Sequence, residues 1–117
     1  MANGAQLSVT DLRRSARHPV DCPVIAEHRT RGDIKLHICN LSAHGFMVDG
    51  SREAPLPELA RGDRTIVRLP VIGRIEAYCI WTTRDRAGFQ FERIIRVDDF
   101  VAMIEKLQPN PRLRRRG

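Results

Sequence analysis

Hydrophobic residues alternate with polar ones in six short runs along the chain, a period typical of half-buried β-strands. In the clearest run, Ile34, Leu36 and Ile38 alternate with Lys35, His37 and Cys39. The six runs are residues 20–26, 34–39, 46–48, 64–69, 75–82 and 87–92. Turns or loops containing glycine, proline, aspartate or asparagine separate most of them. The pattern predicts an all-β domain.

The hydrophobic period changes from two to helical spacing after residue 98. The apolar positions that follow this spacing are Phe100, Val101, Ile104 and Leu107. Asp98 and Asp99 stand where they can cap the helix and favour its N-terminal dipole. Six strands and one helix, without a βαβ pattern, predict a small six-stranded antiparallel β-barrel with a C-terminal α-helix. Pro23 has no backbone N–H to donate, so the first strand is predicted to be an edge strand.

The chain has 117 residues, enough for one domain. We expect a flexible leader at residues 1–11, a barrel domain at residues 12–108 and a basic tail at residues 109–117. No apolar run approaches the roughly 20 residues that span a bilayer, and residues 1–11 lack the pattern of a secretory signal. A cytoplasmic location is therefore expected. Three separate cysteines, each in a predicted strand, indicate buried reduced thiols: Cys22, Cys39 and Cys79.

The formal net charge of +6 raises the question of nucleic-acid binding. Four arginines of the tail account for most of it, at positions 112, 114, 115 and 116, and without them the charge is +6 − 4 = +2. Barrels that bind single strands display stacking aromatic residues. Among the aromatic residues of the strands, only Tyr78 is predicted to be exposed, because Trp81, Phe89 and Phe91 fall on core-like faces. Nucleic-acid binding is therefore the weakest binding hypothesis.

Two polar segments have the chemistry to bind an anionic nucleotide. The first is the arginine segment before the first strand, which contains Arg13, Arg14 and Arg17. A guanidinium can donate in bidentate fashion to a phosphate or to the O6 and N7 acceptors of guanine. In the second segment, between the second and third strands, Asn40 can donate and accept, and Ser42 adds a hydroxyl. Gly45 allows positive φ and lets the backbone pass close to a ligand. The second segment alone also suits an ordinary hairpin turn.

The pairing of Arg-x-x-x-Arg with a later Asn-x-Ser-x-x-Gly resembles the motifs of PilZ domains, the β-barrel receptors for the bacterial second messenger cyclic di-GMP. The Trp81 strand, followed by Gly88-Phe89-x-Phe91, resembles the late strand pair of that family. The resemblance covers residues 13–108. It implies ligand contacts from five residues: Arg13, Arg17, Asn40, Ser42 and Gly45. Arg14 is a sixth candidate, because an Arg-x-x-x-His repeat of the same spacing starts one residue later.

The resemblance also implies a partner and leaves the stoichiometry open. Many family members carry Asp where this chain has Asn40, so a negative charge towards the guanine N–H donors is absent. In that family, the residue before the first arginine is associated with the binding of one ligand or of a stacked pair. That residue is Leu12, which favours one ligand, or Arg13 in the shifted register, which favours two. We expect ligand binding to order the arginine segment and so alter a surface that a downstream protein contacts.

Two further function classes remain to be distinguished from a receptor. A family member that has lost ligand binding would act as a protein-interaction module with nearly the same sequence. An enzyme is disfavoured, because the carboxylates show no paired arrangement and the histidines lack nucleophile or metal partners at recognisable spacing. No cofactor and no metal are expected.

Overall fold

The computed structural model describes residues 16–107, which form six strands and one helix. The strands are β1 (His18–His28), β2 (Gly32–Leu41), β3 (Gly45–Asp49), β4 (Arg64–Leu69), β5 (Gly73–Thr82) and β6 (Arg86–Phe91), and the helix is α1 (Val97–Lys106). The predicted order of six strands followed by a helix is confirmed. Arg13 and Arg14, the proposed leader and the basic tail lie outside the described residues.

The six strands close into an antiparallel barrel in the order β1-β2-β3-β6-β5-β4. The prediction that β1 is an edge strand is wrong, because β1 lies between β2 and β4. β4 nevertheless pairs only with Ala26–His28, whereas Pro23 pairs with His37 of β2 alone. Pro23 therefore lies in the half of β1 that has one partner strand, where its missing N–H costs no hydrogen bond to a second neighbour.

The barrel core consists of the inward side chains of all six strands. Phe46 stacks on Phe89 with ring centroids 4.9 Å apart and meets Phe91 at 5.4 Å. All three cysteines are buried and unpaired, as predicted. Burial raises the pKa of each thiol, Cys39 to about 11, so the thiols stay protonated at neutral pH.

Helix α1 buries a narrower face than the sequence predicts. Phe100 and Met103 are buried, whereas Val101 is 47% exposed. The helix begins at Val97, so Arg96 is the N-cap residue and Asp98 and Asp99 lie in the first turn. The predicted cap is therefore wrong, while the favourable position of both carboxylates near the N-terminal dipole is confirmed.

Candidate functional site

The structure brings Arg17 of the first polar segment into contact with Asn40 of the second. Arg17 precedes β1, and Nη1 of its exposed side chain donates a hydrogen bond of 3.1 Å to Oδ1 of Asn40. Asn40 lies near the end of β2, where His18 and Pro19 of β1 pair with Leu41 and Asn40. The start of β1 therefore carries Arg17 to the corner where β2 turns into β3.

A β-bulge at Cys39 brings the Asn40 side chain to the outer surface. In β2, Leu36 and Ile38 point into the barrel, so simple alternation would also point residue 40 inward. The β2–β3 ladder pairs Ile38 with Val48 and then Asn40 with Met47, which leaves Cys39 as an extra residue. The extra residue reverses the alternation. Asn40 is consequently half-buried on the outside, and Leu41 fills the core.

Ser42 builds the turn that follows Asn40. Its buried hydroxyl accepts a hydrogen bond of 3.2 Å from the backbone N–H of His44 and donates one of 3.4 Å to the carbonyl oxygen of Gly45. The Ser42 N–H donates to the same carbonyl at 2.9 Å. These bonds fix the backbone of the turn. A contact of Ser42 with a ligand stays a prediction.

Gly45 is required by the approach of β3 to β6. It pairs with Gln90, and a Cβ at residue 45 would overlap the backbone carbonyl oxygen of Phe89. Its φ is not positive, since the positive-φ glycines of residues 16–107 are Gly32, Gly62 and Gly73. The expectation of a positive φ at Gly45 is therefore wrong, and close backbone packing is the reason for glycine here. Its proposed ligand contact stays a prediction.

Trp81 belongs to the same outer surface, although its alternation with neighbouring residues predicts a position in the core. β5 pairs Cys79 with Phe89 and then Trp81 with Gly88, so Ile80 is the extra residue of a second bulge. The indole of Trp81 occupies the space where a side chain at residue 88 would stand. Trp81 is half-buried on the outside rather than in the core. The sequence signal was Gly88, because a glycine within a strand often marks a close approach.

The two bulges align five residues across five strands, which we call the outer row. In strand-to-strand order the outer row is Pro19, Asn40, Met47, Gly88 and Trp81. Met47 is half-buried, and Pro19 is exposed. The outer row thus joins a carboxamide with Arg17 at one end to an indole at the other, across an apolar surface of one methionine and one glycine. Such a surface offers both hydrogen bonds and stacking to a planar base.

A histidine bridges two carboxylates in the row of outward-facing residues next to the outer row. His37 Nε2 lies 2.6 Å from Asp21 Oδ1, and His37 Nδ1 lies 2.6 Å from Asp49 Oδ1. Burial alone would lower the pKa of His37, but the hydrogen bonds to Asp49 and Asp21 outweigh burial and raise it. The bridge joins β1, β2 and β3 beside the outer row. Arg86 of β6 is the cross-strand neighbour of Asp49.

Both halves of the candidate site, the turn after Asn40 and the start of β1, contact the C-terminal segment, which runs from Phe91 at the end of β6 into α1. In the turn, the carbonyl oxygens of Ala43 and His44 accept hydrogen bonds of 3.0 and 2.9 Å from Ile95 and Phe91. Next to Arg17, the ring of His18 lies 5.4 Å from that of Phe100 in α1. The turn is therefore hydrogen-bonded to the end of β6 and to the segment before α1, and the start of β1 packs on α1 itself.

The described residues offer neither a metal centre nor a membrane helix. Between residues 16 and 107, no three histidine, cysteine, aspartate or glutamate side chains are arranged to hold a metal ion. In the same range, no helix has the length and apolar character needed to cross a bilayer.

Comparison with known proteins identifies the family. The profile described as PilZ domain matches residues 11–107, most of the chain, and the match includes Arg13, Arg14 and every element of the barrel. No curated protein matches the chain significantly. The closed six-stranded barrel and the C-terminal helix agree with the PilZ-like fold expected from the sequence. The chain therefore belongs to the PilZ domain family of cyclic di-GMP receptor modules.

Proposed function

We propose that the protein is a non-enzymatic receptor for cyclic di-GMP and binds the dinucleotide on the outer row. The observation that carries the proposal is the hydrogen bond between Arg17 and Asn40, because it joins the two motifs of the family at one corner of the barrel. Arg17 offers donors for a phosphate or a purine edge. Arg13 and Arg14 belong to the same arginine segment and would supply further contacts to the second phosphate or base.

The other end of the outer row supports the same assignment. Trp81 is the only tryptophan of the chain, and its indole fills the space that a side chain at residue 88 would take. Stacking of a base on an aromatic ring contributes about 1–3 kcal/mol to nucleic-acid binding. A guanine seated on Trp81 and Met47 would have the carboxamide of Asn40 in the same row.

Ligand binding would be transmitted through the contacts with the C-terminal segment. The turn is hydrogen-bonded to Phe91 and Ile95, and His18 meets Phe100. Closure of the arginine segment over the ligand would shift His18 and present a changed surface near α1 to a partner protein. The unpaired, buried thiols suit a cytoplasmic location, where thiols are kept reduced.

Isothermal titration calorimetry with cyclic di-GMP tests the proposal on wild type and Arg17→Ala. Loss of a charge-assisted contact should weaken binding about tenfold to a hundredfold. Arg68→Ala is the matched control, because Arg68 is also an exposed arginine but lies on β4, which contributes no residue to the outer row. Binding that is unchanged by Arg17→Ala would refute the assignment of the site.

One observation favours a second candidate, a protein-interaction module that binds no nucleotide. Arg17 already donates to Oδ1 of Asn40 within the chain, so this contact between the two segments forms without a ligand. A ligand that binds only the folded state raises the melting temperature. A melting temperature unaffected by saturating cyclic di-GMP would favour this candidate over a receptor.

A further inference from the structure

The hydrogen bond with Arg17 determines which way the carboxamide of Asn40 faces. A guanidinium carries only donors, so the atom 3.1 Å from Arg17 Nη1 must be the carbonyl oxygen of Asn40. The usual ambiguity between the oxygen and the nitrogen of an amide is thereby removed. The amide nitrogen Nδ2 is therefore not the atom that contacts Arg17, and within residues 16–107 it donates no hydrogen bond.

Arg17 and Asn40 therefore present donors to the outer surface. Nδ2 of Asn40 offers two N–H groups, and the guanidinium of Arg17 offers those not used by Oδ1. The remaining lone pair of Oδ1 lies beside a positive charge, which repels the N–H groups of a ligand. A ligand edge made of acceptors suits this corner, whereas an edge made of donors does not.

We propose that Asn40 and Arg17 recognise the O6 and N7 acceptors of a purine and leave the 2-amino group of guanine without a contact at this corner. The inference rests on the proposed function, and it defines the ligand class as cyclic dinucleotides of 6-oxopurines. Guanine and hypoxanthine both present O6 and N7. Adenine has an amino group where guanine has O6, so its N–H donors would face the N–H donors of Asn40 and Arg17.

An aspartate at this position would behave differently. One carboxylate oxygen would hold Arg17, and the other would accept from the N1–H and N2–H groups of guanine, with a full negative charge. Asn40→Asp should therefore create a preference for the 2-amino group that the wild-type protein lacks. Charge-assisted hydrogen bonds are roughly twice as strong as neutral ones.

Calorimetric titration with three ligands tests the inference: cyclic di-GMP, cyclic di-IMP, which lacks both 2-amino groups, and cyclic di-AMP. For wild type we expect the dissociation constant of cyclic di-IMP to lie within about fivefold of that of cyclic di-GMP. The dissociation constant of cyclic di-AMP should exceed that of cyclic di-GMP by more than about fivefold. For Asn40→Asp we expect cyclic di-GMP to be preferred over cyclic di-IMP by more than about fivefold.

The outcomes separate this inference from the proposed function. If wild type binds none of the three ligands, the receptor function fails and the inference fails with it. If wild type binds cyclic di-GMP but prefers it to cyclic di-IMP by more than about fivefold, the inference is overturned and the receptor function stands. Equal binding of cyclic di-AMP also overturns it, as does a folded Asn40→Asp variant with no new preference. The wild-type titrations decide the matter if that variant does not fold.

Discussion

The indole ring of Trp81 occupies the space above Gly88, its cross-strand partner on β6, where any larger residue would place its side chain. The contact depends on the bulge at Ile80, which reverses the alternation of β5 and brings Trp81 to the outside. Gly88 and Trp81 thus act together, and the position of the indole depends on the absence of a Cβ on the neighbouring strand.

Gly88→Ala should displace the indole, because a Cβ at residue 88 would overlap atoms of the Trp81 ring. Overpacking of this kind costs about 1–3 kcal/mol. Since Trp81 is the only tryptophan, its fluorescence emission reports the displacement directly. We expect a shifted emission maximum and a lower free energy of unfolding. In a Trp81→Ala background, Gly88→Ala should cost little, and an equal cost in both backgrounds would contradict the contact.

Trp81→Ala should weaken the binding of cyclic di-GMP if the base stacks on the indole. Loss of one stacking contact is worth about 1–3 kcal/mol, or roughly fivefold to more than a hundredfold in affinity. Trp81→Phe keeps an aromatic face and should retain most of the affinity. Calorimetry on both variants checks this, with melting temperatures as the control for folding. Equal affinities of the alanine and phenylalanine variants would exclude stacking.

Gly45→Ala should destabilise the barrel more than a substitution at a glycine in open space. Its Cβ would meet the backbone of Phe89, which cannot move without disturbing the β3–β6 ladder, so we expect a loss of about 2–3 kcal/mol. The control is Gly32→Ala, where no atom lies within 4 Å but φ is +75°. That left-handed backbone should cost about 1–2 kcal/mol. Urea denaturation of both variants measures the difference, and a larger loss at Gly32 would contradict the packing argument.

The bridge from His37 to Asp21 and Asp49 should make stability depend on pH. Both ring nitrogens lie 2.6 Å from a carboxylate oxygen, and only a protonated imidazole can donate from both. Because the pKa of His37 is raised on folding, its contribution is fully present below the unfolded pKa near 6.5 and is lost as pH rises through the folded pKa. The groups are about two-fifths exposed, so the contribution should be at most about 1 kcal/mol.

His37→Gln tests this dependence, because glutamine cannot become charged. The difference in free energy of unfolding between wild type and variant should be largest at pH 5.5–6 and shrink towards pH 8.5, about two pH units above the unfolded pKa. Urea titrations across that range provide the measurement, and the comparison cancels the titration of His18, His28 and His44. A difference that does not change with pH would show that the bridge does not depend on protonation.

The sequence predicted the barrel better than the faces of its strands. Six strands and the helix follow from hydrophobic period, which depends on burial within each element. The outward positions of Asn40 and Trp81 depend on the bulges at Cys39 and Ile80, which arise from the pairing between strands. Nothing in the local alternation marks an extra residue, so Trp81 was assigned to the core.

The sequence likewise identified the two motifs but not all the reasons for their residues. The contact between Arg17 and Asn40 depends on the pairing of β1 with β2, which the motifs alone do not specify. Gly45 was explained by a positive φ, yet its role follows from the proximity of Phe89, a residue 44 positions later. Contacts between such distant residues are set by the closure of the barrel.

The extra residue at Cys39 has a consequence for comparing this protein with its relatives. A match to the letters from Asn40 to Gly45 says nothing about the strand that precedes them. A chain with the same six letters on an unbulged β2 would direct its carboxamide at the phenylalanine core, out of reach of any messenger. Under the proposed function, binding of the nucleotide by a relative therefore depends on an extra residue in β2 as well as on the motif itself.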